Sequence, residues 1–314
     1  MYIYLDIAAG FQCEMCGSCC RNDWVVTVDA QSFSRNARLF AAAGREQEFA
    51  KAFIRICAES SPGEYAYIAK QPAGGCWFLQ PDQLCRLHRE AGHAHLDSVC
   101  RTFPRYPLDT ARGLELTLSF SCPAVIRLVS RQQPLAIVRS EQAPLAVMPD
   151  SCVAQVYPQQ YSDRHPLYYY FELEHHFIDI LQCRLMPVQA RVNLLFQTVE
   201  AIGRLDRQNS LHQDLNRLIY SNYVRMDKVD PAQPPDMADI LTEHFLVNFV
   251  FKKPFYLCGL QPGARLVQHF CSRINAARSG IIDPAVNWQK TKECIMELEF
   301  QYGHNRKALY AGNQ

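Results

Sequence analysis

The chain reads as an α-rich α+β protein: a cysteine-ligated N-terminal module with short strands, followed by a helical C-terminal region. Three observations predict this. Nine of the 14 cysteines fall within the first 122 residues, and all of these but Cys57 form a closely spaced set. Short β-branched or alternating apolar runs interrupt that same stretch. From Pro166 onward the apolar residues recur at helical spacing. The expected organisation is a cysteine-rich metal-cluster module over 1–130, a connector over 131–165 and a helical domain over 166–314.

In chain order, Trp24-Val25-Val26-Thr27-Val28 and Leu114-Glu115-Leu116-Thr117-Leu118 read as strands. Between them, residues 32 to about 58 have helical character through Phe33, Leu39, Phe49, Phe53, Ile54 and Cys57, broken around Gly44. Ser61-Pro62-Gly63 then marks a turn. The connector carries Pro134, Pro144, Pro149 and Pro158, with one short strand expected at 135–138. Leu167, Tyr170, Phe171, Phe177, Ile178 and Leu181 form one helical stripe, and Pro187 suits the first turn of a second helix, 188 to about 207. Ser210-Leu211-His212-Gln213 matches a capping box for a third helix. A proline-rich break over 230–235 precedes a fourth, roughly 237 to 251, and Asp283-Pro284 reads as the cap and first residue of a last helix near 285–301.

Lys plus Arg number 32 against 31 Asp plus Glu, a formal net charge of +1 that argues against a polybasic nucleic-acid binder. Hydrophobic residues make up 48%, too many for a disordered chain. No apolar run approaches the roughly 18–20 residues of a membrane span. The opening MYIYLDIAAG lacks the basic region of a secretory signal. The expectation is a cytoplasmic globule whose cysteines stay reduced, with no nucleic-acid or membrane partner.

Cys13-x-x-Cys16-x-x-Cys19-Cys20 is the sharpest local signal. A two-residue spacer lets two thiolates converge on one metal through a tight turn. The adjacent Cys19 and Cys20 fit one ion less easily, so one of them ligates while the other serves a second site or packs. Cys76, Cys85, Cys100 and Cys122 complete the set of candidate ligands. The scattered Cys57, Cys152, Cys183, Cys258, Cys271 and Cys294 read as small buried hydrophobes. An all-thiolate site suits zinc or an iron–sulfur cluster alike, and His88, His93 and His95 lie close enough in sequence to substitute as zinc ligands.

The cysteine opening, Gly75-Cys76-Trp77-Phe78-Leu79 with the following Cys85-x-x-His88, and Cys100-Arg101-Thr102-Phe103-Pro104 resemble the small zinc/iron-chelating domain family. Ser121-Cys122-Pro123-Ala124-Val125-Ile126-Arg127-Leu128 resembles the SCPE-x-ARL-type segment of the flagellin lysine N-methylase family. Tyr168-Tyr169, Ile180-Leu181-Gln182-Cys183-Arg184 and Arg191-Val192-Asn193-Leu194-Leu195 are similar to that family's helical region. His244-Phe245-Leu246-Val247-Asn248-Phe249-Val250-Phe251-Lys252 is similar to its late E-N-Y-L-V-N-Y-I-type signature. These anchors span most of residues 11–260. The resemblance implies methyl transfer from S-adenosylmethionine to lysine side chains of a protein, flagellin or another, by a chain that also carries a [4Fe-4S] cluster.

Such chemistry needs a neutral amine aligned with a sulfonium methyl. No Gly-x-Gly-x-x-Gly element occurs, so the usual nucleotide-binding loop is missing and another architecture must hold the cofactor. Glu174 falls inside the apolar stripe, where a carboxylate needs a partner or a raised pKa; it is either a catalytic group or a structural ion-pair partner of an arginine. Tyr168 and Tyr169, with Tyr170, offer an aromatic surface for an ammonium or sulfonium, or serve as helix packing. His175 and His176 are expected on the exposed side, and Arg101 and Arg105 either tune the cluster, hold a carboxylate or lie on the surface. Two other functions fit the cysteines: a non-catalytic protein binding zinc or mononuclear iron, and an iron-dependent oxidative enzyme that modifies peptides.

Overall fold

The computed structural model describes residues 1–56, 64–145, 152–205, 210–230 and 233–303. Its strands are β1 (Tyr2–Leu5), β2 (Thr27–Val28), β3 (Phe53–Arg55), β4 (Ala66–Ile68), β5 (Arg105–Thr110), β6 (Gly113–Leu118), β7 (Ile137–Ser140) and β8 (Ala154–Val156). In β1, Ile3 and Leu5 turn inward while Tyr2 and Tyr4 stay half-buried, the two-residue period of a strand with one face on a core. β1 runs parallel to β6 and antiparallel to β7, and β5 joins antiparallel β6 to parallel β8. The result is a mixed five-stranded sheet in the order β7-β1-β6-β5-β8. A separate three-stranded sheet, β2-β4-β3, lies within the cysteine-rich stretch.

The helices outnumber and outweigh the strands, so the chain is α-rich α+β. The expected helices occur at Tyr170–Gln182, Val188–Gly203, Leu211–Asp227, Met237–Phe251 and Pro284–Leu298. Asp283 caps the last, accepting from the amides of Ala285 and Val286. The Ser210 hydroxyl does not cap; it donates to Asp214 Oδ2 at 2.7 Å. One further helix, Leu260–Arg278, escapes the periodicity because Pro262 and Gly263 in its first turn read as breakers. Gly263 is there for space: a Cβ would lie 2.8 Å from the Phe255 ring.

The stretch read as one broken helix divides into Ala30–Ala42 and Glu46–Ala52, and its last expected apolar residues, Phe53 and Ile54, form β3 instead. Pairing with β4 decides this, since Phe53 lies opposite Ile68 and Ile54 opposite Tyr67. Cys57 and the 61–63 turn lie outside the described residues. The stretch read as a connector supplies two strands of the five-stranded sheet, β7 and β8.

Two hydrophobic cores result. The larger, here the body, joins Ile3, Leu5, Ile7 and Phe11 to Leu118, Phe120, Cys122 and the C-terminal helices. The smaller, here the module, is built from Val26, Val28, Phe40, Ala52, Phe53, Ala66, Ile68, Cys76, Phe78 and Leu87. Trp24 connects them, its ring meeting Phe103 and Phe300 edge-on at 4.9 and 5.4 Å. No described helix is long and apolar enough to cross a membrane.

Candidate metal centre and buried charge network

All thirteen described cysteines are free thiols. The quartet begins on an extended stretch and enters the short helix Ser18–Arg21 through Gly17, which sits at φ 67°. A Cβ at Gly17 would come within 2.9 Å of the Gln83 carbonyl, so glycine lets this turn press against the loop before Cys85. Arg21 donates to the Gln83 side chain across the same contact. The Cys76 amide donates to the Cys20 carbonyl at 2.7 Å, and Cys19 Sγ lies 3.9 Å from Cys20 Sγ.

The Cys20 thiol hydrogen-bonds both Cys19 and Cys76, drawing each of them down to about 7 and pushing its own pKa well up. Cys85 precedes the helix Arg86–Ala91, where burial pushes its thiol up against the pull of the His88 and Leu87 amides. Cys100, in Ser98–Thr102, is pushed far up by burial and by the neighbouring charges of Cys76, Asp97 and Cys85. Asp97 caps that helix, and burial lifts its carboxyl to about 6. Cys76 is thus buried in the module core, with Cys20, Cys85 and Cys100 packed against it and Cys19 beside Cys20.

Cys122 lies instead in the body core. Cys122 opens the helix Pro123–Val129; burial raises its thiol, the Val125 and Ala124 amides oppose that, and Cys16 and Cys13 add to it. Of the histidines, His95 bonds Asn36 at 3.2 Å, and the His88 and His93 rings meet each other at 6.0 Å.

The donor chemistry fits a soft metal or an iron–sulfur cluster: reduced thiols, several of them at helix N-termini where amide N–H groups favour the thiolate. Among the described residues, however, no three Cys, His, Asp or Glu side chains stand in metal-holding geometry. Without a cation, burial and neighbouring thiols favour the protonated forms of Cys20, Cys85, Cys100 and Cys122, and a bound metal would reverse that balance.

Glu174 is fully buried, as its place in the stripe implies. Its carboxylate accepts from Arg112 at 2.8 Å and pairs with the Lys253 ammonium. Glu115 completes a quartet, 2.7 Å from both Arg112 and Lys253. Two carboxylates and two cations balance, which is how four charges persist inside a core. Burial nevertheless holds Glu174 above its ordinary range, whereas Lys253 and Arg112 overcome burial to hold Glu115 below it. Arg112 also stacks 3.8 Å over Phe171. Beside the quartet an open pocket of about 380 Å³ is lined by Arg112, Ile137, Arg139, Glu174 and His175.

Tyr168 and Tyr169 are not part of this network. They sit on the turn Pro166–Tyr169, Tyr168 exposed and Tyr169 stacked on His212 at 4.6 Å. Tyr170 is the tyrosine pushed up by burial and by Glu174. His175 is exposed as expected, but His176 is buried: Asn222 Nδ2 donates to its Nε2 at 2.9 Å and burial lowers it to about 4. Arg105 lies 5.6 Å over the Phe11 ring, on the side of Cys13.

Sequence reasoning missed Arg112, Glu115 and Lys253, although a Lys-Lys pair closing the apolar run Phe249-Val250-Phe251 was a legible sign of a buried cation. It missed a second buried network as well, where Glu243 accepts from Arg184 at 2.8 Å and from Arg191 at 2.7 Å. No family model, curated protein or solved structure matches the chain.

Proposed function

We propose that this is a cytoplasmic iron–sulfur protein that methylates lysine side chains of a protein substrate, flagellin or another, with S-adenosylmethionine as methyl donor. One structural observation supports the metal half of the reading: Cys76 is buried in the small module core, Cys20, Cys85 and Cys100 pack against that core, and Cys19 lies beside Cys20, Sγ to Sγ 3.9 Å. The methyl-transfer half rests on the motifs around Cys122, Tyr168 and His244. A bound cluster would supply a redox-capable or structural iron centre. The chain's own contribution near Glu174 is a pocket with two guanidinium groups, Arg112 and Arg139, suited to the carboxylate of an amino-acid-like cofactor end.

Glu174 is a positioning group in this reading. Neutralised by Arg112 and Lys253, it orients Arg112 toward the pocket instead of accepting a substrate proton. The same pairing favours a second reading, a non-catalytic zinc- or iron-binding protein, in which the quartet only stabilises the body. Anaerobic purification with iron and sulfide analysis, then calorimetry with S-adenosylmethionine and mass spectrometry of a lysine-bearing protein, separates the two. The first reading expects iron with sulfide, cofactor binding weakened by Arg139→Ala, and mass added in methyl steps. Metal-replete protein that binds no S-adenosylmethionine overturns it in favour of the second.

A further inference from the structure

The eight clustered cysteines do not share one core. Cys76 is buried in the module core, and Cys20, Cys85 and Cys100 pack against that core. Cys122 is instead buried in the body core together with Phe11. The stretch carrying Cys13 and Cys16 leaves Phe11 and is held against the Cys122 helix by an ion pair between Glu14 and Arg127, Nε to Oε1 2.9 Å. The neighbours that act on each thiol divide in the same way. Cys122 feels Cys16 and Cys13, whereas Cys85 and Cys100 feel Cys76 and Cys19.

From this we propose that the cysteines serve two separate metal sites: one within the module, drawn from Cys19, Cys20, Cys76, Cys85 and Cys100, and a second formed by Cys13, Cys16 and Cys122 at the seam between module and body. The proposal rests on the metal-binding reading above and assigns its ligands. It also accounts for the adjacent pair Cys19-Cys20: the Cys-x-x-Cys half of the motif faces one site and the Cys-Cys half faces the other, with Gly17 as the turn between them. The two sites differ in kind. Five thiols are enough to close a four-coordinate ion with protein ligands alone. Three thiols leave one coordination position for an outside ligand, and Cys13 is exposed, so that position is reachable from solvent. The ligand class is a soft metal, iron alone or in a cluster, or zinc in its place, taken up as each coordinating thiol releases its proton.

Zinc is the probe. The full chain, reduced and freed of metal anaerobically, is reloaded with zinc, desalted, and its zinc per chain measured. About two ions per chain are expected for the unaltered protein, one for each thiol set. Cys13→Ser, at an exposed position that leaves both cores intact, should drop the content twofold, and Cys122→Ser should match it. Cys100→Ser should remove the other ion and leave the Cys13 site loaded. The Cys13→Ser and Cys100→Ser pair together should hold none. A single ion in the unaltered chain that either Cys13→Ser or Cys100→Ser abolishes would mean one shared site and overturn the division. A content unchanged by Cys13→Ser would remove the second site. Zinc absent from the unaltered chain would instead overturn the metal reading itself.

Discussion

The body and the module bury polar chemistry by different means. In the body, Glu115 and Glu174 are each met by Arg112 and Lys253, Glu243 by Arg184 and Arg191, and Glu299 by Lys252, so these buried carboxylates carry their counter-charges within the protein. In the module, nine buried apolar residues and the buried Cys76 pack with the half-buried Cys20, Cys85 and Cys100, and among the described residues no lysine or arginine is buried with them. The body therefore closes its electrostatic balance with its own side chains. The module, with a core too small to supply much stability alone, packs thiols against that core, and on the proposed reading a cation cross-links them.

That comparison can be broken most directly by metal removal. Chelation under reducing conditions should destabilise the module by an amount on the order of 10 kcal/mol or less, as for other small thiolate-cross-linked units, while the body keeps its transition. Trp24 and Trp77 belong to the module and Trp288 to the body, so tryptophan fluorescence and far-UV circular dichroism can follow the two melts. A metal-free chain melting in one transition at the unaltered midpoint would erase the distinction.

The next largest effect lies in the body. Lys253→Met leaves Glu115 and Glu174 sharing Arg112 alone and should cost about 3–5 kcal/mol in denaturant unfolding, because an uncompensated carboxylate stays buried. Adding Glu174→Gln to that variant should return part of the loss. Equal instability in the single and double variants would mean that the quartet acts through packing instead of charge.

A pH effect follows from His176, lowered by burial from 6.5 to about 4. Between those values the unfolded chain binds a proton that the folded chain refuses, so stability falls as pH drops through that window. The full loss is roughly 3 kcal/mol, and His244, lowered by burial in the same direction, adds to it. His176→Gln should cost stability at pH 7 yet flatten the profile from pH 6.5 to 4; an unchanged slope would refute the assignment. The smallest effect is expected at the junction. Trp24→Ala removes two edge-on ring contacts, about 1 kcal/mol, and should widen the separation between module and body melts.

Much of the architecture was legible in the residues themselves. The stripe from Leu167 to Leu181 placed both the helix Tyr170–Gln182 and the burial of Glu174, and Asp283-Pro284 marked the start of the last helix. These signals are local: a helical period or a cap is written within a few residues of the structure it specifies. The cysteine spacings were equally plain, although Cys122, the last of the clustered set, belongs to the body core. Which thiols share a core was not legible, because Cys122 joins the body core through the Pro123–Val129 helix, which Arg127 ties to Glu14 of the chain's opening stretch. The same holds for Glu115, Glu174 and Lys253, brought together from a strand, a helix and the end of another helix. Phe53 and Ile54 became a strand because β4 was there to pair with them, and His176 turned inward because Asn222 was there to receive it. Periodicity determines which face of an element is apolar; only the packing of distant elements decides which polar groups share the space beneath it.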